Sequence, residues 1–252
     1  SQKGYQTKRA YLLKGEKLPP GEFGVMHGYM KIPELKKVCH AYGVSINEYL
    51  VAVYVWSVYT ECMHGMPSER PVRVAVPVNL RPYFNSITTK NFFVMVSAEF
   101  HPTKEIYTFE EVLKSVSESL RSQISRENLE KLFSYNVSNE KLLAARIVPL
   151  FLKNLAMRYV YTTSALANTA TVTNIGNISV SEEYRPYVEM FHAFLAMSKG
   201  QHLKGTICSY GDTLVFSFSY DLTDTSVQRG FFRKIAADGI AVEIETNGVN
   251  YE

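Results

Sequence analysis

The chain has 252 residues, 46% hydrophobic and 20% charged, enough for one large α/β domain or two small ones and too apolar for disorder to dominate. A net charge of +3, spread over scattered basic residues, is too mild to imply a nucleic-acid partner. The three cysteines, Cys39, Cys62 and Cys208, are odd in number and far apart; they form neither a disulfide framework nor a zinc pattern, which points to a reducing cytoplasm.

Residues 1–22 carry Gly4, Pro19, Pro20 and Gly21 as punctuation and show no signal pattern, so they read as a connector from a preceding segment. Residues 23–252 then make one folded lobe. "EFGVMHGYMKI" is a first strand, and "PELKKVCHAYG" a helix opened by Pro33 and closed by Gly43. Ser45 and Glu48 have capping-box spacing. The helix they start is apolar on most sides, which predicts a place between two layers. Its run Tyr49–Tyr59 is too short for a bilayer, which needs ~20 residues. "VRVAVPV" and "NFFVMVSAEFH" are nearly continuous apolar strands, as in a sheet covered on both faces.

Thr108 and Glu111 form a second capping box ahead of the stripe Phe109, Val112, Leu113, Val116 and Leu120. Helices are expected over Arg126–Asn136 and from Ser138 to about Tyr161, the latter kinked or divided at Pro149. "ATVTNIGNISV" reads as strand, turn, strand. "YVEMFHAFLA" alternates and predicts a strand with Val188, Met190, His192 and Phe194 on one face. "GTICSYGDTLVFSFSY" is a hairpin with its turn at Tyr210–Asp212. A last helix starts near Asp224 or Thr225, and "IAVEIE" closes as an edge or final strand. There is no internal repeat. The fold class expected is α/β, a mixed β-sheet with packed helices.

A self-contained enzyme needs a base, nucleophile, metal or cofactor site. None of the six histidines begins a His-x-x-x-Asp pattern. His101 and Glu105 are spaced as helical ligands, but Pro102 interrupts them and an exposed loop pair is expected, with no metal. His192, in its predicted strand, is either a hydrogen-bonded core or cleft histidine or a base with no acid nearby in sequence to orient it. There is no nucleophile elbow, P-loop or dinucleotide fingerprint. Two polar groups remain. Asn79 and Arg81 end an apolar strand, where Arg81 either ties strand-end carbonyls and the helix before it or faces a substrate channel. Thr171, Thr173 and Asn174 in "TVTNIG" form either a solvent-facing ladder with an Asx-turn or a set of donors aimed into such a channel.

The order "SINEYLVAVYVWSVY … VRVAVPVNLRPYF … NFFVMVSAEF … TVTNIGNISV … GDTLVFSFSYDLTD" resembles the C-terminal half of the CoA-dependent acyltransferase superfamily, which includes chloramphenicol acetyltransferase and the condensation domains of peptide synthetases. The likeness is greatest to bacterial alcohol acetyltransferase-like proteins. It implies one lobe of a two-lobed fold with a channel between the lobes. The co-substrate would be acetyl-CoA or another acyl-CoA, with no tightly bound cofactor, and the acceptor a small alcohol or amine. The family's His-His-x-x-x-Asp-Gly signature is absent here and would lie on an N-terminal half, the chain's expected partner. Thr173 and Asn174 would then stand near the oxyanion, and Asn79, Arg81, Phe93 and His192 along the channel, Phe93 alternatively packing beneath it. The resemblance also implies self-association of the isolated chain through an uncovered apolar face. Two other readings stay open: a non-catalytic binding or assembly module of the same fold, and an unrelated enzyme that joins His192 to Thr173 or Asn174.

Overall fold

The computed structural model describes residues 9–88, 91–140, 149–198 and 200–248. Seven strands, β1 Gly24–Lys31, β2 Val72–Asn79, β3 Phe93–Phe100, β4 Ala170–Asn177, β5 Leu203–Tyr210, β6 Thr213–Tyr220 and β7 Val242–Thr246, make one mixed sheet in the order β3-β2-β4-β5-β6-β1-β7. The pairs β2–β4 and β4–β5 are parallel, and the rest antiparallel. Helices α1 (Ile32–Tyr42), α2 (Ile46–Ser57), α4 (Phe109–Gln123) and α7 (Ser226–Ala237) cover one face. A short α3 (Arg81–Phe84) follows β2, and α5 (Arg126–Glu140) and α6 (Leu150–Ala165) lie between β3 and β4.

The core lies between the sheet and α2. Tyr49 through Val55 are wholly buried, so α2 is the sandwiched helix that its all-round apolarity predicts. Ser45 caps it, accepting from the Glu48 amide while Glu48 accepts from the Ser45 amide. Behind it Phe216, Phe218, Phe231 and Phe232 form one aromatic cluster, each burial worth about 2–3 kcal/mol. Gly28 lets α7 approach: a Cβ there would lie 2.1 Å from the Phe232 ring.

The opposite face differs. Strand alternation points Thr171, Thr173, Lys204, Thr206, Ser217, Ser219, His27 and Tyr29 away from the helices. β3 is therefore not covered on both sides, as its apolar run suggested: Phe93 and Met95 are 49% and 45% exposed. Its outer edge is blocked near Ser97 and Glu99 by α4, where Gln123 bonds both the amide and the carbonyl of Ser97 and Ser119 accepts from the Glu99 amide.

Three further expectations need correction. "YVEMFHAFLA" is extended but joins no strand ladder. It crosses over β5, β6 and β1 instead of lying beside one, so side chains beneath hold its carbonyls: Lys204 donates to Ala196, Ser219 to Leu195 and Cys208 to Phe191. "ATVTNIGNISV" holds one strand, not two; its register shifts between Asn174 and Gly176, pairing resumes at Gly176 with Cys208 and Asn177 with Ser209, and the Ile178 amide adds a last bond to the Ser209 carbonyl. No helix starts at Ser138, which lies inside α5, while the expected break at Pro149 coincides with a helix start. Arg126–Glu140 belongs to α5, residues 141–148 lie outside the described residues, and α6 starts just after Pro149, whose carbonyl accepts from Leu152 and Lys153.

Candidate functional site

Asn79 and Arg81 stand at the carboxyl end of β2. The Asn79 side-chain oxygen accepts from the Arg81 amide at 3.1 Å and from its guanidinium at 3.2 Å, while Arg81 Nε donates to the Thr88 carbonyl at 2.8 Å. This tie runs to the loop after α3. Phe93 faces Asn79 in the β2–β3 register and is exposed rather than packed in the core. Phe92 does pack, edge-on against Phe84 and Phe133.

β4 ends beside this group, because β2, β4 and β5 run parallel and their carboxyl ends share one rim of the sheet. Asn174 makes the expected Asx-turn, accepting from the Gly176 amide at 2.8 Å, and its amide donates to Asn47 at the start of α2 at 3.4 Å. Gly176 sits at φ +85°, a conformation that favours glycine. Thr171 donates to Gln201. Thr173 is half-buried on the helix-free face and has no hydrogen-bond partner among the described residues.

Thr173 begins a polar row across the sheet: it faces Thr206, which faces Ser217, which faces His27, which faces Glu245. The Thr206 hydroxyl is buried and unpartnered among the described residues. His27 Nδ1 lies 2.7 Å from Ser217 Oγ, and its ring stacks on His192 with centroids 4.4 Å apart and planes at 17°. Burial, then the neighbouring His192, hold the His27 imidazole below its ordinary value, against an opposing pull from Glu245. His192 Nε2 is 2.8 Å from the Tyr29 hydroxyl, which donates to Glu245. His192 thus does have an acid to orient it, reached through Tyr29. It does not meet Thr173 or Asn174, since β4 and β1 are three strand spacings of ~4.8 Å apart. The enzyme reading that required their convergence fails.

Two polar pairs escaped sequence reasoning. Arg73, buried in β2, binds Glu99 through Nε at 2.8 Å and the Ala167 carbonyl at 2.8 Å. His202 Nδ1 and Asp221 lie 2.8 Å apart at the opposite end of the sheet from Asn79. Both pairs are cross-strand neighbours that a register would reveal. His202 shares a small cavity with Cys62, but burial, then Asp224 and Glu61, push the Cys62 thiol up to about 11, so no ready thiolate is present. His101 and Glu105 are exposed, and no group of metal-ligating side chains forms among the described residues. No helix among them is long and apolar enough to cross a membrane.

No family model and no curated protein matches the chain. Solved structures do. The wax ester synthase/diacylglycerol acyltransferase from Marinobacter aquaeolei VT8 is 16% identical over 92% of this chain and 52% of its own, with a TM-score of 0.52. The trichothecene 15-O-acetyltransferase TRI3 from Fusarium sporotrichioides is 14% identical over 90% of this chain and 48% of its own, at 0.56. The nonribosomal peptide synthetase FmoA3 is 16% identical over 92% of this chain and 22% of its own, at 0.59. The fold is that of one lobe of the chloramphenicol acetyltransferase-like and condensation-domain proteins. The chain spans about half the length of the two acyltransferases.

Proposed function

We propose that the chain is the C-terminal half of an acyl-CoA-dependent O-acyltransferase, of the alcohol acetyltransferase type. It furnishes one wall of the acyl and acceptor channel to an N-terminal half that carries the catalytic histidine. The observation that supports this most is the match of one lobe, over about half the length of two acyltransferases, combined with a helix-free sheet face on which Thr173 has no partner among the described residues. In this reading the Thr173 hydroxyl donates to the oxyanion formed when an acceptor hydroxyl attacks the thioester. Asn174, locked in its turn and bonded to Asn47, shapes the rim, and Arg81 with Asn79 holds the neighbouring loop. Acyl-CoA is a co-substrate, and the acceptor a small alcohol or amine.

The test is thiol release from acetyl-CoA by the full-length product with a panel of alcohols. Thr173→Val is expected to lower kcat about a hundredfold, the loss of one oxyanion donor. An unchanged kcat removes Thr173 from the chemistry. A second reading, a non-catalytic binding or assembly module, is favoured by one observation: no described histidine stands beside Thr173. It expects no thiol release above background with any acceptor.

A further inference from the structure

Residues 188–198 cross the helix-free face of the sheet as a strap. Among the described residues, no backbone bond joins 189–197 to a strand. Three side chains hold the strap instead. From β5, Lys204 donates to the Ala196 carbonyl at 2.7 Å and Cys208 to the Phe191 carbonyl at 3.2 Å; from β6, Ser219 donates to the Leu195 carbonyl at 2.6 Å. Strand alternation puts Lys204, Thr206 and Cys208 on one face, so Thr206 lies under the strap, midway between two of its ties. Thr206 is 2% exposed, and its hydroxyl has no partner among the described residues.

The strap does not suit the surface it covers. Its half-buried positions Phe191, Ala193 and Leu195 alternate with exposed His192, Phe194 and Ala196, so an apolar edge meets a polar sheet face. Where a sheet donor reaches a strap carbonyl, the mismatch is bridged. At Thr206 it is not, and a buried hydroxyl without a partner costs more than one made bond returns. Lys204 adds to that cost. It is 8% exposed, bonds one carbonyl and has no carboxylate partner among the described residues, and burial holds its ammonium below the ordinary value. Rings at Phe191, His192 and Phe194, packed on Tyr210, His27 and Phe23, favour the closed position. Lifting the strap gives up those contacts and three side-chain bonds that water replaces, and it hydrates Thr206 and Lys204. Gly200, at φ +83°, follows the strap, and the short helical turn Arg185–Tyr187 precedes it. We infer that residues 188–198 are a lid that lifts from β5 and β6 while the sheet stays folded, with the buried hydroxyl of Thr206 opposing closure and the Ser219 tie favouring it. The lid bares the polar row that Thr173 begins, whether or not the chain is part of an acyltransferase.

The chain carries its own reporter and control. Cys208 is 1% exposed beneath the strap, whereas Cys39, 3% exposed, belongs to the core that α1 and α2 share. Labelling of the native chain with N-ethylmaleimide, followed residue by residue by mass spectrometry, compares the two thiols. Cys208 is expected to react at least about tenfold faster than Cys39 and with a weaker dependence on urea, as a local opening does. Thr206→Val keeps the shape and removes the hydroxyl, so it should slow Cys208 about tenfold. Ser219→Ala removes a tie and should speed Cys208 about tenfold. Cys208 and Cys39 reacting in step, with one urea dependence, overturn the lid, because the strap then leaves only when the sheet unfolds. Cys208 labelling that is unchanged or faster in Thr206→Val also overturns it, since the hydroxyl is then satisfied under the closed strap, by a water or otherwise. So does an unchanged rate in Ser219→Ala. Should Thr206→Val not fold, the comparison of the two thiols in the unaltered chain still decides.

Discussion

Helix α2 is apolar on nearly every side, and α6 spreads its apolar residues around Lys153, Asn154 and Arg158, yet the two lie in opposite surroundings. In α2, Tyr49 through Val55 are wholly buried between the sheet and its neighbours α4 and α7. In α6, Leu150, Phe151, Leu155, Met157 and Tyr159 are each 64–72% exposed. An all-round apolar helix is stable in water only with cover on all its sides, because exposed apolar area costs about 25 cal/mol per Å². The difference therefore separates a segment whose environment is complete within this chain from one whose sequence anticipates contacts that the described residues do not supply.

The largest expected effect tests the covered member. Tyr54 is fully buried in α2 and donates to the Leu203 carbonyl at 3.2 Å. Tyr54→Ala should cost about 4 kcal/mol in urea unfolding, through the cavity and the orphaned carbonyl. Phe151→Ala in α6 should change the same midpoint by less than about 0.5 kcal/mol. Equal losses at the two sites would mean that α6 is covered after all.

Next in size is association. If α6 attracts a second apolar surface, the isolated chain should self-associate at high concentration. Leu155→Glu should then weaken that association by more than about tenfold, because a buried, unpaired carboxylate is costly. Sedimentation velocity decides the matter. A monomer at all concentrations breaks the argument from exposure, and an oligomer indifferent to Leu155→Glu moves the contact elsewhere, with exposed Phe93 and Met95 on β3 the next candidates.

The same pair of helices shows what the sequence makes legible. The burial of α2 follows from composition alone, and its start from the Ser45–Glu48 spacing. The exposure of α6 does not follow, since its apolar residues form no single stripe that would mark one covered face and one wet one. Pro149 marks the start of α6 because its ring excludes it from a helix interior while its carbonyl still accepts the first bonds. Alternation in "YVEMFHAFLA" correctly indicates an extended chain, but a strand also needs a neighbouring edge, and that depends on topology. The same limit governs the sites. The hairpin turn at Tyr210–Asp212 sets a register that carries His202 opposite Asp221, so that pair was within reach of the sequence. The meeting of His27, Ser217 and Glu245 was not, because it requires β1 to lie between β6 and β7, strands nearly two hundred residues further along.

The third effect is smaller and depends on pH. Burial pushes the Glu48 carboxyl up, but hydrogen bonds from Arg121 and Ser45 outweigh it and hold the group below its usual range. A depressed carboxyl contributes stability that is present above its unfolded value, about 4.3, and lost as pH falls through the folded one. The Arg121 side chain is 58% exposed, so the contribution is about 1 kcal/mol after solvent screening. Arg121→Ala should therefore lower the urea midpoint at neutral pH, and the gap from wild type should close only as the pH falls below about 4.3 and on through the lower folded value. A constant gap would show that Arg121 acts through packing and its bond to the Gly43 carbonyl rather than through the ion pair.

The smallest effect separates the two helices by one shared detail. Ser57 in α2 donates to the Val53 carbonyl four residues back at 2.8 Å, and Thr163 in α6 donates to Tyr159 in the same way at 3.0 Å. In α2 the hydroxyl is buried without access to water, so Ser57→Ala removes a bond but also a polar group that needed one. Alanine's better helix propensity offsets part of the loss, leaving about 0.5 kcal/mol or less of destabilisation. In α6 water can replace the bond at once, so Thr163→Ala gains propensity and loses almost nothing. It should slow hydrogen exchange of the α6 amides by about twofold while leaving the global unfolding midpoint unchanged. A shift in the global midpoint would show instead that α6 unfolds together with the core, and that its cover, unlike that of α2, is dispensable for cooperativity.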